Sequence, residues 1–281
     1  MIESNSNIAI IIVFFNPTNQ MIEKASQLHK SFSVYVADNS ERSLSNNPDF
    51  IYLPLFQNKG IAEAQNHALR RALMDNMEYV IFLDQDSYIT NDDIIKLTDI
   101  FCEIEKRDPS IAALGPILIN DGNNSPYKTA ISLTNEKRIK VNTLISSGTI
   151  TKIKFIIEVG LMDESLFIDY VDFDWCWRVN KAGYSLYMTR EVELRHQVGQ
   201  FSFHLAGLAF IKSSHKRYYY RFRNLFILSR RNYVPFRWKV KTFIHSIIEL
   251  VLVVVHPAYN GERKIILNNI GSGIKDGLIR K

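Results

Sequence analysis

A chain of 281 residues with 46% hydrophobic, 22% charged and 12% aromatic residues has the composition of a globular protein with a full core, which excludes disorder, collagen-like repeats and coiled coils. Its length fits one large domain or two modest ones, and two cysteines, Cys102 and Cys176, are too few for a disulfide framework and suit a reducing compartment. The net charge of +5 averages two unlike parts: residues 194–281 carry 16 Lys and Arg against three acids, the preceding residues 18 against 26, and no acid occurs from Leu194 to Ile248, so the C-terminal third is suited to an anionic partner, nucleic acid or lipid.

In chain order, Ile8 to Phe15 is an apolar run preceded by Glu3 and polar residues without Lys or Arg, which predicts a buried strand rather than a signal peptide. Met21 to Lys30 has helical spacing, Ser33 to Ala37 reads as a second strand, Ile61 to Met74 as a second helix, and Tyr79 to Leu83 as a third strand. The turn signals Asn16-Pro17 and Asn58-Lys59-Gly60 stand at the helix starts. This alternation predicts βαβ units around a mostly parallel sheet, whose ligand crevice lies beyond the carboxyl ends of the strands. Near the other end, Phe243 to Val255 is membrane-like, but His245, Ser246 and Glu249 interrupt it, so it is expected to lie on a bilayer rather than cross it.

Three of the predicted strand ends are polar: Asn16-Pro17-Thr18, Asp38-Asn39-Ser40 and Asp84-Gln85-Asp86-Ser87. One such triplet is an ordinary turn; three in register suit a ligand. An Asp after the second strand fits a ribose hydroxyl or a base edge, and the helix opening between Asn58 and Asn66 could turn its N-terminal amides to a phosphate. Neither GxGxxG nor a Walker A loop is present, which disfavours NAD enzymes and P-loop NTPases. Asp84 and Asp86, two apart in an extended segment, share a face and suit a hard cation, Mg²⁺ or Mn²⁺, carried with a diphosphate; a solvated loop gives the same triplet. Farther on, Asp169, Asp172 and Asp174 are set among Phe167, Tyr170, Trp175 and Trp177. Asp172 or Asp174 suits the first turn of a helix running to Ala182 and ended by Gly183, and a partly desolvated carboxylate there suits a general base. His196 alone reads first as a structural histidine.

The series Phe14-Phe15-Asn16-Pro17, Asp38-Asn39-Ser40, Asn58-Lys59-Gly60-Ile61-Ala62 with Asn66, Leu83-Asp84-Gln85-Asp86-Ser87, Ser147-Gly148-Thr149, Phe167-Ile168-Asp169-Tyr170-Val171-Asp172 and Arg217-Tyr218-Tyr219 with Arg223-Asn224 resembles bacterial rhamnosyltransferases of glycosyltransferase family 2. The resemblance implies a GT-A fold, a Rossmann-like mixed α/β sheet flanked by helices. Residues 1–205 would form the catalytic domain, with the nucleotide-sugar part in about 1–120 and the acceptor part in about 121–205, and residues 206–281 a helical, membrane-associating extension. It implies inverting transfer of L-rhamnose from dTDP-β-L-rhamnose to a polyprenyl-diphosphate-linked glycan of O-antigen or similar polysaccharide. In that reading Asn16, Asp38, Asn58, Gly60, Asn66, Asp84 and Gln85 hold the donor, Asp86 and His196 the Mg²⁺ or Mn²⁺, Asp172 is the base with Asp169 in reserve, and Phe167, Tyr170, Trp175 and Trp177 wall the acceptor side. Phe14-Phe15 stands where Thr-Tyr is usual, Gly160-Leu161-Met162-Asp163 where Gly-Gly-Phe-Asp is, and Asp174 where Glu is common.

Donors such as UDP-glucose or UDP-galactose are the rival reading, and a non-catalytic nucleic-acid binder with a basic, aromatic tail is the rival of a different class. The acidic N-terminal part and the three polar strand ends speak against nucleic acid. Residues Lys212 to Lys241 hold ten basic residues and no acid, with Tyr218, Phe222, Leu225, Phe226 and Trp238 interleaved. This predicts an interfacial helix bound to an anionic leaflet, and hence a peripheral protein at the cytoplasmic face of the bacterial inner membrane.

Overall fold

A computed structural model of the chain describes residues 7–44, 48–120, 125–126, 134–196, 202–205 and 208–279. The first half is built as β1 (Ile8–Phe14), α1 (Asn19–His29), β2 (Ser33–Asp38), β3 (Ile51–Pro54), α2 (Ile61–Met74), β4 (Tyr79–Asp84), α3 (Asn91–Glu105) and β5 (Ile111–Asn120). Then come β6 (Ser125–Pro126), β7 (Arg138–Val141), β8 (Ile150–Lys152), α4 (Ile153–Val159), α5 (Val171–Lys181), β9 (Ser185–His196), the strands β10 (Ser202–Leu205) and β11 (Leu208–Ile211), and the helices α6 (His215–Ser229), α7 (Phe236–Val255) and α8 (Arg263–Ile279). The predicted first three strands and first two helices stand within a residue or two of their expected bounds.

The main sheet runs β3-β2-β1-β4-β8-β5-β9-β7, with β6 paired to β5, while β10 and β11 pair with each other. From β3 to β4 neighbours are parallel; β8 is antiparallel to both β4 and β5, so the sheet is mixed. The central strands are buried on both faces, which explains why Ile8 to Phe14 and Tyr79 to Leu83 are unbroken apolar runs rather than alternating ones. Register brings the strand ends together: Phe14 faces Asp38 across one ladder and Val13 faces Asp84 across the other. The three polar strand ends therefore open on one edge of the sheet.

The basic C-terminal segment departs from expectation. It forms two helices broken between Ser229 and Phe236, and its apolar side points inward: Tyr218, Phe222 and Leu225 are buried, and Trp238 packs edge-on against Tyr170 and Trp177. Lys212 to Lys241 is thus no single interfacial helix, because aromatic residues at helical spacing serve a protein core as readily as a bilayer. Ile227, Leu228 and Val234 join the core of the sheet domain, whereas Tyr218, Phe222, Leu252, Val253, Tyr259, Ile266 and Ile270 make a second core among α6, α7 and α8. No described helix is long and apolar enough to cross a membrane.

Candidate active site

The strand ends are stitched by short hydrogen bonds. Ser40 Oγ donates to Asp38 Oδ1 at 2.5 Å and accepts from the Asn16 amide at 2.8 Å, while Tyr52 donates its hydroxyl to Asp38 Oδ2 at 2.7 Å. Asp38 is buried, and with the Ser40 amide also donating at 2.9 Å it receives three protein donors, leaving limited acceptor capacity for a ligand. Gln85 is committed to β1: its Oε1 accepts from the Phe15 amide at 2.9 Å and its Nε2 donates to the Phe15 carbonyl at 3.3 Å. It braces the crevice rather than presenting a free amide to it. Asn16 takes a positive φ of 49°, which turns the chain sharply out of β1.

Asp84, half-buried at the end of β4, is anchored through its main chain: Ser147 Oγ accepts from its amide at 3.0 Å and sits 2.8 Å from Ser87 Oγ. Gly148, at φ 76°, donates its amide to the Phe82 carbonyl at 2.7 Å, and an added Cβ would lie 2.7 Å from Pro116. The Ser147-Gly148-Thr149 turn thereby locks β4 and aims the Asp84-Gln85-Asp86 segment, with Asp86 exposed. His196 ends β9, and its side chain lies outside the described residues.

Gly60 and Asn66 serve differently from the donor-binding roles expected of them, whereas Asn58 stays exposed. The first amides of α2, at Ile61 and Ala62, donate to the Phe167 carbonyl at 2.7 and 3.4 Å, so a backbone carbonyl occupies the place a phosphate would take. Gly60, at φ 89°, allows that approach, since a Cβ there would lie 2.6 Å from the same carbonyl. Asn58 accepts from the Gly60 amide, and Asn39 accepts from Lys59 and donates to the Gly60 carbonyl. Asn66 is buried, accepting from the Met162 amide at 3.0 Å and donating to the Met162 carbonyl at 2.8 Å and to Glu164 at 2.9 Å. Its place is therefore structural: it ties α2 to the segment that leads into α5.

That segment carries the most strained backbone of the site. Phe167, Asp169 and Tyr170 all have φ between 63° and 66°, a conformation that costs non-glycine residues about 1–3 kcal/mol each unless the surroundings hold it. Here they do. Asn224, fully buried on α6, donates its side-chain amide to the carbonyls of Leu166, Ile168 and Asp169 at 2.9, 2.8 and 3.1 Å. Arg223 donates to the carbonyls of Ser165 and Leu166 at 2.5 and 2.9 Å, and Arg217 pairs with Asp169 at 2.8 Å. Asp169 is thus an ion-pair partner of α6.

The turn delivers Asp172 to the second position of α5. Its carboxyl accepts from the Phe173 amide at 2.9 Å, yet burial, with the Asp84 charge adding to it, raises its pKa to about 6 despite the opposing main-chain bonds at Phe173 and Ser146. A carboxylate so tuned is ionised near neutral pH and is a better proton acceptor than an ordinary aspartate. Asp172 is thereby near Asp84, joining the turn to the end of β4.

Asp174 is structural: fully buried, it pairs with Arg178 at 2.9 Å and Arg231 at 2.6 Å and accepts from the Tyr233 hydroxyl at 2.7 Å. Trp175 and Trp177 are 4% and 2% exposed and belong to the core, so they do not wall an acceptor pocket. Packing on both sides of α5 covers the two indoles, Trp177 against Phe173 and Trp238. Phe167 and Tyr170 remain half-buried at the turn; Phe167 stacks on Tyr220 with ring centroids 4.3 Å apart. Sequence reasoning assigns no role to Tyr52, Ser147, Glu164, Arg223 or Asn224. All but Tyr52 and Glu164 stand inside the motifs that carry the family resemblance.

An oxygen-only pair at a strand end, Asp84 and Asp86, fits Mg²⁺ or Mn²⁺, which bind through one or two carboxylates and complete their shell from substrate phosphates and water. Among the described residues no group of three or more His, Cys, Asp or Glu side chains forms a self-sufficient metal cage.

Comparison with known proteins bears on the family and the fold. The family described as Glycosyl transferase family 2 matches residues 4–163. The chain is 33% identical over 270 residues, 89% of either protein, to the dTDP-rhamnosyl transferase RfbF of Shigella flexneri. It is 25% identical over 154 residues, 51% of this chain and 35% of the other, to a poly-beta-1,6-N-acetyl-D-glucosamine synthase of Staphylococcus aureus. Among solved structures it resembles S. aureus TarS, with a TM-score of 0.58 at 14% identity over 96% of this chain and 49% of that one. GalNAc-T7 with UDP, GalNAc and Mn²⁺ aligns with a TM-score of 0.52 at 14% identity over 89% of this chain and 58% of the other. The chain spans only about half the length of those solved proteins, and they show the shared GT-A fold alone. From the matched family, the long relative and the sheet with its acidic strand end, the chain is a glycosyltransferase and belongs to glycosyltransferase family 2.

Proposed function

We propose that the protein transfers L-rhamnose from dTDP-β-L-rhamnose, with inversion, to a hydroxyl of a polyprenyl-diphosphate-linked glycan during O-antigen or related polysaccharide assembly at the cytoplasmic face of the inner membrane. The donor rests on the 33% identity that runs through 89% of both chains to a dTDP-rhamnosyl transferase. The observation that carries the chemistry is Asp172, raised to about 6 and held by the strained turn beside Asp84.

In this reading the nucleotide lies along the ends of β1, β2 and β4, with Asn16 and Asp38 toward the base and ribose and Asp84 toward the sugar-diphosphate. Asp172 accepts the proton of the acceptor hydroxyl as its oxygen bonds to the anomeric carbon, while the bond from that carbon to the diphosphate oxygen breaks on the opposite face and dTDP departs. General-base help of this kind is worth about 10²–10⁴ in rate. Asp86 with Asp84 would hold the Mg²⁺ or Mn²⁺; a divalent ion there supplies electrostatic stabilisation to the leaving diphosphate. Phe167 and Tyr170 line the turn on the acceptor side.

Transfer is expected to stop in EDTA and to return with Mg²⁺ or Mn²⁺. Asp86→Ala is expected to lose at least about 10²-fold in kcat with an unchanged melting temperature, because Asp86 is exposed and bears no core packing. Full turnover of the variant in EDTA contradicts the metal assignment. In the same assay dTDP-β-L-rhamnose is expected to be consumed in preference to UDP-glucose and UDP-galactose.

A further inference from the structure

The outer face of α7 is inverted relative to an ordinary surface helix. Every exposed position from Phe243 to Val255 is apolar, namely Phe243, Ile244, Ile247, Val251, Val254 and Val255, and Phe236 and Val240 extend the stripe toward the helix start. The spacing of three and four keeps these residues on one face along a helix about 30 Å long. The only acid of α7, Glu249, faces the other way; it is 3% exposed and pairs with Arg221. The exposed charges of the helix are both cationic, Arg237 and Lys241, and they line an apolar groove of 440 Å³ with Phe236, Val240, Ile244 and His245.

We infer that this face of α7 is a lipid-docking surface, which lies in the headgroup and upper acyl region of an anionic bilayer with Arg237 and Lys241 on the phosphates. A contiguous exposed apolar stripe calls for a partner, and its charge selects which one. Pairing of two copies through this face brings cations together with no exposed acid on the helix to answer them, whereas an anionic leaflet supplies the complement. The helix lies along the bilayer, since no described helix is apolar enough to cross it. The surface falls on the membrane-like run Phe243 to Val255 that the sequence points to and extends it back to Phe236, whereas the apolar side of α6 is spent on the protein's own core. It rests on no assignment of donor or acceptor.

The test is flotation of the full chain with phosphatidylcholine vesicles containing or lacking phosphatidylglycerol, for the wild type, for I247D/V251D and for R237E/K241E. The wild type is expected to float with phosphatidylglycerol vesicles. I247D/V251D is expected to lose at least about tenfold in binding, since two apolar side chains leave the interface. R237E/K241E is expected to lose the preference for anionic lipid, and high salt to weaken wild-type binding without abolishing it. Both pairs are exposed, so circular dichroism and melting temperature are expected to match the wild type. A wild type that stays behind at low salt overturns the inference, as does I247D/V251D floating like the wild type. A wild-type dimer in sedimentation that I247D/V251D dissolves, with no vesicle binding, assigns the face to a second copy and overturns it equally.

Discussion

D172N is expected to lower kcat by about 10²–10⁴ while leaving the donor KM within a few-fold of the wild type, because the change keeps the shape of the side chain and removes the proton acceptor. The wild-type pH profile carries a second expectation. With Asp172 raised to about 6, kcat should climb with pH on an acidic limb centred near that value, and the limb should vanish from the residual activity of D172N.

The same residue makes a prediction about stability of opposite sign. Burial disfavours the ionised form in the folded chain, so the wild type loses stability as pH rises from the ordinary aspartate range through about 6. D172N is free of that penalty. It should melt higher than the wild type at pH 8, by an amount equivalent to about 1–3 kcal/mol, and no higher near pH 3, where the carboxyl is protonated in the folded chain and largely so in the unfolded one. An inactive variant whose stability advantage grows between about pH 4 and pH 6 and levels off above it is difficult to reconcile with a merely structural Asp172. Equal or lower melting at pH 8 counts against the raised pKa.

The second large effect is expected at Asn224, which never meets a substrate. Its amide serves three carbonyls of the turn that bears Asp169, Tyr170 and Asp172, and N224A leaves those carbonyls unanswered in a buried setting. Each lost bond costs about 0.5–1.5 kcal/mol, and the positive-φ residues lose what holds them. We expect kcat to fall by about 10–10³ with little change in donor KM, and the acidic limb to move from about 6 toward the ordinary aspartate value as the turn opens to water. R223K is the companion, since it keeps the charge and gives up the guanidinium fork that reaches the Ser165 and Leu166 carbonyls. A melting loss alone, with kcat and the limb intact, reduces Asn224 to a packing role. The expected outcome makes α6 part of the catalytic apparatus, although it belongs to the C-terminal segment that composition sets apart.

Whether a residue's role is legible in the sequence depends on the range over which its interactions act. Asp84 and Asp86 are legible because five apolar residues, Tyr79 to Leu83, fix a strand and set the two acids at its end. Asp172 is legible as a first-turn acid for the same local reason. The roles that sequence misassigns depend on partners far along the chain. The N-terminus of α2 looks like a phosphate site, yet its cap is the Phe167 carbonyl, on a distant segment of the chain. Asp174 is indistinguishable from Asp172 until Arg231 and Tyr233 come to meet it. Trp175 and Trp177 read as a pocket wall because an aromatic residue beside acids suits either a sugar or a core, and only the packing of α5 and of Trp238 decides. In the C-terminal third the run Phe243 to Val255 is legible as bilayer-lying, but Glu249, which interrupts it in sequence, turns inward to Arg221 and leaves the outer face of α7 wholly apolar, which only the packing shows.

The most direct measurement incubates the purified protein with dTDP-β-L-rhamnose, Mg²⁺ and a synthetic polyprenyl-diphosphate-linked acceptor, then determines the mass and anomeric configuration of the product. The expected product is an acceptor heavier by one deoxyhexose, joined through an α-linkage that inverts the donor, and formed by the wild type far faster than by D172N. A β-linked product, or an enzyme that leaves dTDP-rhamnose untouched while consuming a UDP-sugar, contradicts the proposed transfer.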